Sequence, residues 1–98
     1  MKIVHYSRQL GIGGTEKNMQ YLLEYLQQAG HDCYCMHNQE RTREAGGYRV
    51  RAITELLGES KVIGFTSESE FFDRLDKIRP RIFHVHRSGS PGEFPVVP

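Results

Sequence analysis

The chain has few cysteines, little excess of charge of either sign, and no long apolar run. Only 2 of its 98 residues are cysteine, which excludes the disulfide-rich class of small secreted domains. Lys plus Arg (13) nearly balances Asp plus Glu (12), so the net charge of +1 argues against nucleic acid as a partner. No apolar stretch approaches the ~18 residues of a transmembrane helix, and the N-terminal stretch is too short for a signal peptide. We therefore expect a cytoplasmic protein without a transmembrane segment.

The composition is otherwise that of an ordinary globular domain, with 38% hydrophobic and 26% charged residues. Cys33 and Cys35 are too close in sequence for a good structural disulfide, and we expect reduced, buried thiols. The alternative is zinc bound by these cysteines and His37 on one face of a strand. A structural zinc site usually needs four ligands at wider spacing, so we expect no metal.

Four short apolar segments predict strands, at 2–6, 33–37, 61–66 and 82–86. Between the first two, apolar residues at helical spacing predict an amphipathic helix with Thr15 as N-cap and Gly30 as its C-terminal stop. Ser67 and Glu70 form a capping box that opens another helix, which ends before Pro80. Residues 38–47 are polar and are predicted to form a loop, whereas 48–57 fit a strand or a helix, and we favour the helix.

Strands that alternate with helices predict an α/β fold, a Rossmann-like doubly wound parallel sheet of about four strands in the order 3-2-1-4. The first and fourth strands are then neighbours. The crevice outside their carboxyl ends is where such folds bind ligands.

A glycine-rich turn follows the first predicted strand and leads to Gly13, Gly14 and Thr15. Glycine lets a ligand approach the backbone, and the start of the following helix offers free amides to a phosphate. The turn is not the dinucleotide fingerprint G-x-G-x-x-G, because Glu16 stands at the position of the third glycine. It is not a P-loop either, so a plain tight turn remains an alternative.

His84 and His86 stand two residues apart on the fourth predicted strand, and Arg87 follows them. Imidazoles at a strand tip can bind a sugar hydroxyl or a phosphate, or transfer a proton. They could also begin a metal site together with His5 or a cysteine, or be ordinary polar residues at the end of a strand.

In these features the chain resembles the start of a retaining group 1 glycosyltransferase, which has two facing Rossmann-like domains. The resemblance covers nearly all 98 residues. It is carried by the opening MKIVH, by GGTEK at 13–17, by the Gly30-His31 helix end and by IRPRIFHVHRSG at 78–89. Arg81 stands where the family usually has Asp.

The resemblance implies that residues 1–98 are part of an acceptor-side domain, and that the C-terminal nucleotide-sugar-binding domain is absent. The complete enzyme would transfer a glycosyl unit from a nucleotide sugar to a hydroxyl acceptor, without a cofactor. The turn of Gly13, Gly14 and Thr15 would approach the donor diphosphate and the acceptor, and His84 and His86 would line the acceptor side. Arg87 is counted with these residues as binding the donor phosphate or the acceptor. No catalytic residue is assigned, because the family's usual catalytic histidine lies further along the chain.

This interpretation has two consequences, and one alternative function stands beside it. The isolated chain is expected to lack transferase activity, because one wall of a cleft cannot orient two substrates. It is also expected to self-associate through the sheet edge at the fourth strand, where the family fold continues. The alternative function is that of a small non-catalytic module that binds an anionic or phosphorylated ligand at the glycine turn.

Overall fold

The computed structural model describes residues 1–7, 10, 14–47 and 49–86. Its elements follow one another in the order β1 (Lys2–Ser7), α1 (Gly14–Gln28), β2 (Asp32–Asn38), α2 (Gln39–Glu44), α3 (Val50–Leu57), a 3-10 turn (Glu59–Lys61), β3 (Val62–Phe65), α4 (Glu68–Ile78) and β4 (Ile82–His86). The four strands form an all-parallel sheet in the order β3-β2-β1-β4. The predicted α/β class, strand order and four strands are confirmed.

Helices cover both faces of the sheet, as a doubly wound fold requires. On one face α1 and α3 pack on β2 through a core of Leu10, Met19, Leu23, Cys33, Cys35, Ile53 and Leu57. On the other face α4 packs on residues from all four strands, through Val4, Tyr6, Met36, Phe65, Phe71 and Ile78, with Phe83 and Val85 against them. The alternation of side chains along each strand divides the sheet residues between these two cores.

The predicted capping signals of two helices are present. Ser67 is the N-cap of α4, and its Oγ accepts a hydrogen bond from the Glu70 N–H (3.1 Å). Beyond α1, Gly30 has a φ of 91°, a conformation that side chains other than glycine rarely adopt. The N–H groups of Gly30 and His31 donate to the carbonyl oxygens of Gln27 and Leu26, which completes the end of the helix.

The prediction of a loop over residues 38–47 is wrong, because the stretch contains helix α2. Asn38 caps this helix, with its Oδ1 accepting a hydrogen bond from the Arg41 N–H (3.0 Å). Hydrophobic periodicity does not predict this helix, because it is short and polar and buries only Thr42. The favoured helix over 48–57 is confirmed as α3 from Val50 onward, so two helices rather than one connect β2 with β3.

The predicted N-cap role of Thr15 is also wrong. Helix α1 begins at Gly14, so Thr15 lies within its first turn rather than at the cap position. The helix therefore begins two residues earlier than an N-cap at Thr15 would place it. The amides of Gly14 and Thr15, which we expect to bind an anion, still lie in the first turn of α1.

Candidate functional site

The carboxyl ends of β1 and β4 lie side by side at one edge of the sheet. Ser7, the last residue of β1, is in register with His86, the last residue of β4. The chain leaves β1 at this edge and enters α1 at Gly14, and α1 contacts β4. The adjacency of β1 and β4 that a ligand crevice requires is therefore present.

The structure describes four of the six predicted site residues. Gly14 and Thr15 form the first turn of α1, and His84 and His86 belong to β4. Gly13 and Arg87 lie outside the described residues. The strand tip and the chain that enters α1 thus share one edge of the sheet.

A pair of histidines lies across the β1–β4 junction. His5 and His84 are in register, and their ring centroids are 5.5 Å apart with the planes tilted by 41°. His84 is exposed, whereas His5 is fully buried. Burial, with a smaller contribution from His84, lowers the pKa of His5 to about 4. At neutral pH the inner ring is therefore uncharged, and His84 is the member of the pair that a ligand can reach.

Leu10, between β1 and α1 in the sequence, is held by two hydrogen bonds of its backbone. Its buried N–H donates to Thr42 Oγ1 in α2 (3.0 Å), and its carbonyl oxygen accepts from the Arg49 N–H (3.5 Å). Thr42 Oγ1 in turn lies 2.7 Å from Nδ1 of His37 at the end of β2. One buried hydrogen-bonded chain therefore connects the segment before the glycine turn with the end of β2.

A cavity of about 520 Å³ lies beyond this chain, over the carboxyl ends of β2 and β3. Its walls include His37, Gln39, Thr42, Arg43, Val50 and Gly64, with the Gly46–Gly47 turn at its rim. Sequence reasoning missed this cavity, since it assigned 38–47 to a loop. Two signals could have pointed to it, namely a histidine at the end of a buried strand and a glycine inside β3, where glycine often marks close approach.

The zinc alternative at β2 is not supported by the chemistry of its side chains. Cys33 and Cys35 are free and buried in the core beneath α1 and α3. Burial raises the pKa of Cys35 to about 12, which disfavours the thiolate that binds zinc. His37 is engaged by Thr42. Among the described residues, no three His, Cys, Asp or Glu side chains are grouped so that they could hold a metal ion.

Comparison of the chain with known protein families, curated proteins and solved structures found no match. The glycosyltransferase resemblance therefore stays a prediction from the residues. Within the part of the chain that the structure describes, no helix has the length and apolar character needed to cross a membrane.

Proposed function

We propose that this chain is the acceptor-side Rossmann-like part of a glycosyltransferase. The observation that supports it best is the register of Ser7 with His86 at the edge where the chain turns into α1. The two motifs of the resemblance come from opposite parts of the sequence. That register brings together β1, which precedes the glycine motif, and β4, which carries the histidine motif.

In this proposal the start of α1 attracts the diphosphate of a nucleotide sugar. Helix α1 has 15 residues, so its first-turn amides carry the partial positive charge of a full helix dipole. Gly13 and Gly14 let the phosphates approach the backbone, and the amide of Thr15 lies in the same turn. Charge that develops on the leaving diphosphate is offset by these amides and by Arg87 rather than by a metal.

The acceptor side of the proposed cleft is the tip of β4. His84, in the middle of β4, is exposed beside the neutral ring of His5, so it can exchange hydrogen bonds with a hydroxyl acceptor. His86 is the next histidine along the strand and the last residue of β4. In the transfer, the bond between the anomeric carbon and the diphosphate oxygen breaks. A bond to the acceptor oxygen forms, and the proton of the acceptor hydroxyl passes to the diphosphate oxygen that departs with the nucleotide.

A second Rossmann-like domain completes the enzyme in this proposal, and the reaction takes place in the cytoplasm. That domain would hold the nucleotide and the donor sugar, and closure of the two would exclude water. The 98-residue chain alone is therefore expected to be inactive as a transferase. Turnover of any nucleotide sugar by the purified chain, above a buffer blank, would contradict this division of labour.

The proposal is tested by binding and then by turnover. In binding, UDP serves as the diphosphate probe for the 98-residue chain. We expect Gly14→Val to weaken UDP binding ~10-fold, because a branched side chain blocks approach to the amides. Glu68→Val, at the first position of α4, is the matched control for a branched residue at a helix start. Equal affinities for the two variants would contradict the proposed diphosphate site.

In turnover, protein from the complete reading frame is incubated with radiolabelled nucleotide sugars and a mixture of hydroxyl acceptors. We expect a labelled glycoside from the parent protein and no labelled glycoside from the Gly14→Val variant. UDP binding without any transfer would instead select the alternative, a non-catalytic module that binds phosphorylated ligands at the glycine turn.

A further inference from the structure

The cavity over β2 and β3 is separate from the β1–β4 edge and has no part in the proposed transfer. Its volume of about 520 Å³ falls within the range of small-molecule sites, ~300–1,000 Å³. A cavity of this size has room for an organic molecule rather than for a bare inorganic ion alone. We propose that it binds a small organic anion, a compact body with one phosphate or carboxylate group.

Gly64 keeps the floor of the cavity open. A Cβ built on this residue would lie 3.3 Å from Gln39 Cβ and 3.4 Å from both Gln39 Oε1 and His37 Cε1. The 3.3 Å separation is tighter than ordinary van der Waals contact, so the Gln39 side chain would have to shift by a few tenths of an ångström, while a methyl group would also rest against the His37 ring. The absence of a side chain lets the amide of Gln39 and the ring of His37 stand over the strand.

The interior of the cavity offers hydrogen-bonding groups that are held in place. His37 is 6% exposed and Thr42 is 3% exposed, and their contact fixes the position of the imidazole ring. Burial lowers the pKa of His37, although a hydrogen bond with the Asn38 backbone opposes the change. The ring is therefore neutral at pH 7 and offers hydrogen bonds to a hydroxyl or a carbonyl rather than a second positive charge.

Arg43 sets the sign of the ligand's charge. Among the described residues that line the cavity, it carries the only formal charge at neutral pH. Its partner Glu40 is 3.8 Å away, and both side chains are mostly exposed, so water screens the pair. A phosphate or carboxylate can accept two parallel hydrogen bonds from the Arg43 guanidinium, which favours it over the single long contact with Glu40. Val50 adds an apolar wall for the body of the ligand.

The experiment uses the ¹⁵N-labelled 98-residue chain and follows backbone amide shifts by NMR. The probes are glucose 1-phosphate, glucuronate, glucose and inorganic phosphate, each titrated to about 10 mM, which detects millimolar dissociation constants. We expect saturable shifts at Gly46, Gly47 and Gly64 with one or both organic anions, and weaker ones with glucose or inorganic phosphate. The stronger of the two anions identifies the head group as phosphate or carboxylate.

Two variants on the same exposed helix separate a contact from a general charge effect. Arg43→Ala is expected to weaken binding ~10-fold or more, the loss of one charge-assisted contact. Arg41→Ala removes the same charge from a side chain outside the cavity lining, so it should change affinity less than ~2-fold. Gly64→Ala should also weaken binding, and if it fails to fold, the arginine pair still decides.

Three results would overturn the proposal. One is the absence of saturable shifts at the three glycines with either organic anion. Another is affinity for inorganic phosphate equal to that for glucose 1-phosphate, since the cavity walls would then contribute nothing. The third is equal weakening by Arg41→Ala and Arg43→Ala. Shifts confined to Gly14, Thr15 and His86 would support the diphosphate site while overturning this one, so the two proposals fail separately.

Discussion

Replacing Thr42 with valine tests the buried hydrogen-bonded chain that connects β2, α2 and the segment after β1. Valine has nearly the same shape and the same β-branching, so the helix propensity of α2 changes little. The substitution removes only the hydroxyl that accepts from the Leu10 N–H (3.0 Å) and contacts His37 Nδ1 (2.7 Å). A loss of stability can therefore be assigned to those two contacts.

The expected loss follows from the burial of the groups that are left behind. Each buried polar group without a partner costs about 1–3 kcal/mol. The Leu10 N–H bears this cost in full because Leu10 is 0% exposed. His37 bears less, since its ring lines the cavity and can reach water there. We expect Thr42→Val to lower the free energy of unfolding by ~2–4 kcal/mol, a large part of the ~5–15 kcal/mol of a typical domain.

The assay is urea unfolding followed by circular dichroism, with the free energy extrapolated to water. Thr42→Ser is the matched control, because it keeps the hydroxyl and loses one methyl group, a cost of ~1 kcal/mol. Thr66→Val removes a hydroxyl from an exposed residue and should change stability by less than ~0.5 kcal/mol. If Thr42→Val is as stable as Thr42→Ser, the chain from Leu10 to His37 does not stabilise the fold and the reasoning is wrong.

Two further predictions concern pH and assembly. The pKa of His5 is about 4 in the folded protein against an ordinary 6.5, so as pH falls between these values only the unfolded state gains the proton. The folded state should lose up to ~3 kcal/mol in that window, and His5→Gln should give a shallower pH dependence in urea titrations; an unchanged slope would refute this. Ile82 is 44% exposed on β4, the outermost strand on its side of the described sheet. We expect the chain to dimerise there at high micromolar concentration and Ile82→Lys to give a monomer by light scattering, whereas a monomeric parent chain would contradict it.

The sheet could be predicted from the sequence because apolar segments and turn signals agree at each step. Within Ile82–His86, apolar residues and histidines alternate from Phe83 onward, as expected for a strand whose two faces differ in burial. Ser67 and Glu70 mark the start of a helix by their capping chemistry alone. These signals depend on neighbouring residues, so no tertiary information is needed. Parallel β–α–β connections then leave few strand orders to consider.

Hydrophobic patterning could not predict the cavity or helix α2, because tertiary contacts create them. Helix α2 has no apolar stripe, and its one buried residue, Thr42, is polar. Its position depends on partners far away in the sequence, such as Leu10. The gap over Gly64 likewise exists only because β2 and β3 are neighbours, with His37 in register with Gly64. Hydrophobic periodicity carries no signal for such sites.

The proposed diphosphate site at the β1–β4 edge is tested most directly by an NMR titration of the ¹⁵N-labelled chain with UDP. We expect saturable shifts of the Gly14 and Thr15 amides at the start of α1, together with the His86 amide at the tip of β4. Gly58, at the far end of α3, should not move. If Gly14 and Thr15 show no shifts, or if Gly58 shifts equally, the start of α1 does not bind the diphosphate.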